Sequence, residues 1–303
     1  MDIGFALPVS GSWATPDNQV RVAERAEELD YSSLWTFQRL LYPAKPENER
    51  WAPVYRSVTD PLVTLAFIAG QTTRIGLGVA ILNAPFYTPV MLAKQVTTLD
   101  LLSKGRLVVG LGIGWSPEEF AAADADMSAR GKRMDDFLGA LDAILTADGP
   151  AEYHGETFEL PPSYVEPRAV QRPRPPIILG GMAEPALRRA GALADGWVSA
   201  SRADLSTIGQ SIETVRSAAV AAHRDEKTLR FVCRGVVRIR AERGGILSGS
   251  YDEVRKDFDA LADAGITELF VDLNFDEEIG TVDADPAASM RRAEEALTEL
   301  APH

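Results

Sequence analysis

Apolar runs with strand character and amphipathic runs with helical spacing alternate from one end of this chain to the other. DIGFALP (2–8) reads as a strand. Behind it, PDNQVRVAERAEELDY places Val20, Ala23, Ala26 and Leu29 on one helical face, with Thr15 or Asp17 as the cap. SSLWTF (32–37) is a second strand, and a polar, proline-bearing loop fills 38–60. The period then repeats with the helix PLVTLAFIAGQT, the strand RIGLGVAIL (74–82), the helix PVMLAKQVTTLDLLSKG and the strand RLVVGLGIG (106–114). A long Ala-rich helix is predicted from Pro117 to Thr146.

Residues 148–175 break the pattern with a Pro-rich segment too long for an ordinary connection, which predicts an insertion carrying a short hairpin. The alternation then resumes with PPIILGG, AEPALRRAGALA, DGWVSAS, a helix near 204–224 and LRFVCRGVVRI. After a second insertion at 240–250 come a helix over 251–264, ITELFVDLN and a helix near 286–300. Eight strands result, and most lack polar alternation. Strands buried on both faces belong to a parallel sheet covered by helices, and eight such units predict an α/β protein with the (β/α)8 TIM-barrel fold, one domain over 1–303. A doubly wound sheet is the competing arrangement.

At 303 residues the chain is long enough for a large core, and its formal net charge of -13 argues against nucleic acid as a partner, because phosphate binding needs a basic face. Cys233, the single cysteine, lies in the strand-like RFVCRGVV and reads as a small buried hydrophobe. MDIGFALPVS has no basic signal-type start, and no apolar stretch approaches the roughly 20 residues of a membrane span. A cytoplasmic protein with no membrane partner is the expectation.

In RLVVGLGIGW, Gly110, Gly112 and Gly114 have the spacing G-x-G-x-G, which differs from the dinucleotide fingerprint G-x-G-x-x-G and falls far from the first βα unit. In a barrel the same glycines come to the mouth, at the C-terminal strand ends. There they either let a flat ligand lie against bare backbone or relieve crowding inside the barrel. Gly180 and Gly181 precede a helix beginning near Glu184, so the N–H groups of Gly181, Met182 and Ala183 predict a phosphate site.

His154, His223 and His303 fall away from strand ends, which disfavours a His-based triad or metal site. Asp272 and Asp276 near the last strand read as loop caps, and no metal is expected. Phe37, Gln38, Asn83 and Phe86 also collect at strand ends. Trp13 and Trp115 are predicted to wall a flat ring at the mouth, while Trp35 and Trp197 belong to the core. A chain with no evident base, nucleophile or metal assigns its chemistry to a bound cofactor acting on a small molecule.

Together SSLWTF, TRIGLGVAILNAPFYTPVMLAKQVTTLDLLSKGRLVVGLGIGWSPEEF, RGKRMDDF and AVQRPRPPIILGGMAEPALRRAGALADGW resemble the bacterial luciferase-like monooxygenase superfamily, and within it the coenzyme F420-dependent oxidoreductases. The resemblance implies a barrel, usually a homodimer, with hydride transfer at the C5 position of F420. An FMN-dependent monooxygenase and a non-catalytic flavin- or deazaflavin-binding protein are the alternatives. It places the ring near Ala80, Ile81, Asn83, Gly112, Gly114 and Trp115, with a non-prolyl cis peptide at Ala80-Ile81. The phosphate falls at Gly180, Gly181, Met182 and Ala183. Arg168, Arg172 and Arg174 read first as solvated arginines; the alternative is that they approach the anionic F420 tail, which an acidic protein would otherwise repel. Where many F420-dependent relatives carry Asp-His after the second strand, this chain has Gln38-Arg39. Those two and Trp13 are the candidate ring or substrate contacts, and the proton donor is left unassigned.

Overall fold

The computed structural model describes residues 1–46 and 48–302; His303 lies outside the described residues. The chain begins with β1 (Asp2–Ala6), α1 (Pro16–Glu28), β2 (Ser33–Thr36), α2 (Pro61–Ala69), β3 (Gly76–Asn83), α3 (Pro89–Leu102) and β4 (Leu107–Gly112). Next come α4 (Pro117–Ala122), α5 (Arg130–Thr146), the hairpin strands β5 (Ala151–His154) and β6 (Glu159–Ser163), β7 (Ile177–Gly180), α6 (Glu184–Leu193) and β8 (Gly196–Val198). The last part comprises α7 (Ile208–Ala221), β9 (Arg230–Val236), the short β10 (Arg238–Ile239) and β11 (Ser248–Gly249), α8 (Tyr251–Asp263), β12 (Glu268–Asp272) and α9 (Pro286–Glu299).

Eight parallel strands close in the order β1-β12-β9-β8-β7-β4-β3-β2, so the fold is a (β/α)8 TIM barrel. The two insertions carry the β5–β6 and β10–β11 pairs outside it. No helix among the described residues is long and apolar enough to cross a membrane.

Local chemistry starts the helices. Thr15, Asp60, Thr88, Ser116 and Asp285 each accept a backbone N–H in the first turn of the helix that follows, and each is followed by proline at a position that needs no intrahelical N–H. Ser250 and Glu253 form a reciprocal capping box at α8. The helix expected from Pro117 to Thr146 is instead two helices. Asp124 takes a left-handed φ of 50°, and the Asp126 carboxylate accepts from the Ser128 N–H (2.8 Å) and hydroxyl (2.7 Å). Such local side-chain bonds offer the backbone an alternative to helix.

Two apolar layers result. Between strands and helices lies the main core; inside the barrel, Ala6, Trp35, Ala80, Val108, Ile178, Val198, Val232 and Phe270 pack together. Trp35 stacks on Phe270 at 5.0 Å. At the N-terminal end of the barrel Glu268 accepts from Ser33 (2.5 Å) and Trp35 (3.0 Å) and pairs with Arg230 (2.7 Å), which satisfies a buried carboxylate. Trp35 and Trp197 are core residues, as expected. Cys233 is buried as well, and burial pushes its thiol up to about 12, which keeps it an inert thiol.

Candidate active site

The C-terminal ends of the strands form the mouth. Two neighbouring sectors of that mouth are built differently.

On one side, β3, β4 and β7 bring their ends together, with Asn83 in register with Gly112. The Ala80-Ile81 peptide is cis, and the β3–β4 register shifts between Val79 and Leu82. Ile81 turns into a trough that glycines leave open. A Cβ on Gly112 would stand 2.6 Å from Ile81 Cδ1, and one on Gly180 would stand 3.1 Å from Ile81 Cγ2. These glycines therefore make room for Ile81 inside the barrel, and the half-buried Ile81 side chain becomes the surface that a flat ring would meet there. Gly114 has φ 70°, and a Cβ there would stand 2.8 Å from Phe120.

Past β7 the chain enters α6 through Gly181, whose φ of 137° suits glycine alone, and a Cβ there would come within 2.7 Å of Ala186. Trp197 Nε1 donates to the Gly181 carbonyl (2.8 Å) and fixes this loop. The N-cap of α6 is Ala183, which offers no side-chain acceptor, and Met182 and Ala183 are exposed. Open N–H groups at a positive helix end fit a phosphate, the group common to FMN and F420.

On the other side, side chains from β2 and the loop after it dominate. Arg39 pairs with Glu119 (2.7 Å) and stacks over Tyr55 (4.6 Å), Trp115 (4.9 Å) and Trp51 (5.7 Å). Glu119 has 0% side-chain exposure and Arg39 11%, and Glu119 also accepts from the Leu40 N–H (2.7 Å). The Arg39 guanidinium thus anchors the 38–60 loop against α4. Trp115, half-buried, packs on Trp51 at 5.0 Å, so the wall expected of Trp115 is a Trp pair held around a cation. Gln38 is buried and bonds Asn83 and Tyr87.

One expectation and one alternative fail here. Trp13 is 0% exposed and packs in the main core, its carbonyl accepting from Asn18 (2.9 Å), so it presents no wall to a ligand. Its loop folds inward because residues 10–12 are tied to distant partners, Ser10 to Gly280 (3.0 Å) and Ser12 to Ala284 (2.6 Å). Arg168, Arg172 and Arg174 lie in the segment that leads into β7, at the N-terminal end of the barrel. Arg174 pairs there with Asp142 (2.7 Å) and Asp195 (2.5 Å), Arg168 with Glu166 (3.1 Å), and Arg172 donates to the Ala169 carbonyl. A ligand tail at the mouth is on the far side of the barrel from all three.

Sequence reasoning also missed Arg234. From β9 it reaches across the barrel to the Ala80 carbonyl, beside Asp272 (3.3 Å) and over Phe37 (5.2 Å) and Phe275 (5.2 Å). Burial drives the Arg234 pKa down and the Asp272 pKa up. A lone arginine within the apolar run RFVCRGVV was the readable signal. Asp276 pairs with Arg240 (2.7 Å), and among the described residues no group of His, Cys, Asp or Glu could hold a metal ion. His154 lies exposed between Glu152 (2.9 Å) and Glu159 (2.6 Å) in the hairpin. An open cleft of about 820 Å³ lies between the loops after β2 and β12, lined by Tyr42, Pro53, Arg56, Glu277 and Asp283 among others.

Comparison with known proteins places this geometry. Two uncharacterised proteins of Mycobacterium tuberculosis are 32% identical over 189 residues (59% of this chain, 64% of that one) and 33% identical over 208 residues (67% and 73%). The chain therefore spans a little under two thirds of the first of them. An FMNH2-dependent dimethylsulfone monooxygenase of Pseudomonas putida is 29% identical over 170 residues, 55% of this chain and 45% of that one. Among solved structures, the monooxygenase RslO1 of Streptomyces bottropensis superposes with a TM-score of 0.80 at 21% identity (100% and 99% covered). An F420-dependent secondary alcohol dehydrogenase, in complex with an F420-acetone adduct, superposes with 0.79 at 15% identity (99% and 98%). These likenesses establish the fold. The luciferase-like monooxygenase family model matches residues 3–244, and the chain belongs to that family.

Proposed function

We propose that this chain is an oxidoreductase that uses coenzyme F420 and a small organic substrate. The observation that carries the reading is the α6 entrance: an uncapped helix start behind Gly181, facing the glycine-lined ends of β3 and β4. Gly180, Gly181, Met182 and Ala183 would hold the phosphate through backbone N–H groups, and Ala80, Ile81, Asn83, Gly112, Gly114 and Trp115 would border the ring. When bound, the deazaflavin supplies two-electron hydride chemistry. The protein's part is to orient the ring on Ile81 and to keep water from one flank with the Trp51–Trp115 pair.

F420 is preferred because cations stand near the phosphate loop on the mouth side. Arg189 of α6 pairs with Asp135 (2.5 Å) and donates to the Gly131 carbonyl (3.1 Å), which brings the basic turn Arg130–Arg133 of α5 alongside α6. A protein of net charge -13 needs such a patch to accept a polyanionic tail. FMN is the second reading, favoured by the FMNH2-dependent relative and by the loss of Arg168, Arg172 and Arg174 as tail contacts. Fluorescence titration of the apoprotein with each cofactor at low and high salt tests the choice. F420 should bind at least ~10-fold more tightly and lose more affinity as salt rises. Micromolar binding of FMN with none of F420 would establish the second reading instead.

Self-association as a homodimer is part of the proposal. Helices α2 and α3 leave Val63 (69% exposed), Phe67 and Met91 facing outward, a patch that sedimentation velocity would show to be covered or free.

A further inference from the structure

We propose that Tyr87 is the side chain that donates a hydrogen bond to the substrate, to an uncharged acceptor such as a carbonyl oxygen, with Gln38 as the positioning residue. The inference rests on the functional reading above and adds a polar contact that neither the glycine strands nor Arg39 supplies. Arg39 is committed to Glu119 and its aromatic neighbours. The Gln38–Tyr87 pair has the opposite character.

The direction of its hydrogen bonds can be worked out atom by atom. A backbone N–H only donates, so the Gln38 atom 2.8 Å from the Asn83 nitrogen is the carbonyl oxygen Oε1, which also lies 3.3 Å from Asn83 Nδ2. The other end of the amide is then Nε2, which only donates. It lies 2.6 Å from the Tyr87 hydroxyl oxygen, so that oxygen is the acceptor. The hydroxyl proton is therefore not spent on Gln38. Among the described residues Tyr87 has no second hydrogen-bond partner.

Placement brings that proton to the mouth. Gln38 lies two residues past β2, Asn83 is the last residue of β3, and Tyr87 stands four residues further, so all three lie at the C-terminal ends of β2 and β3. Gln38 and Asn83 are both buried, which fixes the amide, whereas Tyr87 is only half-buried. Burial first, and the Asp60 carboxylate second, push the phenol up to about 12, so it keeps its proton at every working pH. The group is a held donor at the edge of the ring site.

The test uses full-length protein loaded with F420, or with FMN if that cofactor is the one bound, and 4-nitrobenzaldehyde carrying a 13C-labelled carbonyl as the probe. Infrared difference spectra should show the bound carbonyl stretch at lower frequency than in a non-hydrogen-bonding solvent. That shift should vanish in Tyr87→Phe, and probe affinity should fall roughly fivefold, the worth of one ordinary hydrogen bond. In Gln38→Glu the carboxylate can only accept, so the Tyr87 proton turns toward it and the shift should vanish again. Cofactor affinity should stay within about twofold in both variants, because neither residue meets the phosphate. A shift that persists in Tyr87→Phe, an unshifted carbonyl in the parent protein, or no binding of the probe to loaded protein overturns the proposal. Failure of both cofactors to bind would instead overturn the reading beneath it.

Discussion

The two sides of the mouth use different materials. On β3, β4 and β7 the surface is main chain and one isoleucine: Ile81 lies in the trough left by Gly112 and Gly180, and the α6 entrance offers bare N–H groups. Where the loop after β2 meets the segments after β3 and β4 the surface is side chain: Arg39, Glu119, Trp51, Tyr55, Gln38 and Tyr87 are joined by ion pair, stacking and hydrogen bonds. On the proposed function, the main-chain surface would recognise what every flavin-type cofactor shares, a flat ring and a phosphate, and selectivity for the reaction partner would come from the side-chain half. The two halves should also fail differently when cut, the first in affinity and the second in stability or substrate contact.

The largest effect is expected at Arg39. Arg39→Ala leaves Glu119 fully enclosed without its ion-pair partner, and removing one partner of a buried pair costs about 3–5 kcal/mol. The 38–60 loop loses its cation–π anchor in the same change. Urea unfolding should show the midpoint falling with little change in slope. A loss under about 1 kcal/mol would mean that the Arg39–Glu119 pair contributes no more than an exposed one and that the side-chain half is looser than drawn.

The difference between the halves is also a difference in what the sequence could reveal. Gly112, Gly180, Gly181 and the strands that carry them are local patterns, and a strand that runs into Gly-Gly before a helix announces its geometry within ten residues. The barrel was legible for the same reason, since eight apolar runs without alternation can hardly be covered any other way. Arg39–Glu119 joins positions 80 residues apart, and Arg234 meets the Ala80 carbonyl across 154. No local spacing records such pairs. Trp13 was misjudged for a related reason, since only tertiary contacts decide whether a loop aromatic faces outward. The place of Arg168–Arg174 was legible, because residues that precede a strand of a parallel barrel stand at the end opposite the mouth.

The glycine half is tested at Gly181. Gly181→Asp adds a side chain where φ is 137° and where a Cβ meets Ala186, and it adds negative charge beside the expected phosphate. Cofactor affinity should fall at least ~10-fold, or about 1.4 kcal/mol. Thermal unfolding of the cofactor-free variant separates this from strain, because strain moves the midpoint without ligand. An unchanged titration would remove the α6 entrance from the binding surface and leave the likeness between the halves greater than their difference.

The smallest effect is expected at Arg172, and its smallness is the point. Arg168, Arg172 and Arg174 were the alternative contacts for the tail of the cofactor, whereas the fold puts them before β7, with Arg174 held by Asp142 and Asp195 and Arg168 by Glu166. Among the described residues Arg172 donates only to the neighbouring Ala169 and Gln171 carbonyls, so it can be removed with the least structural cost. At the far end of a barrel, with charges separated by more than a Debye length of about 8 Å at physiological salt, its influence on a mouth-bound anion is screened. Arg172→Ala should therefore change F420 affinity by less than about twofold at moderate ionic strength. Arg189→Ala, which loosens α6 from the basic turn of α5, should weaken F420 more than FMN. The reverse ranking, with Arg172 strong and Arg189 silent, would place the tail on the N-terminal face and undo the division of the mouth into a cofactor side and a substrate side.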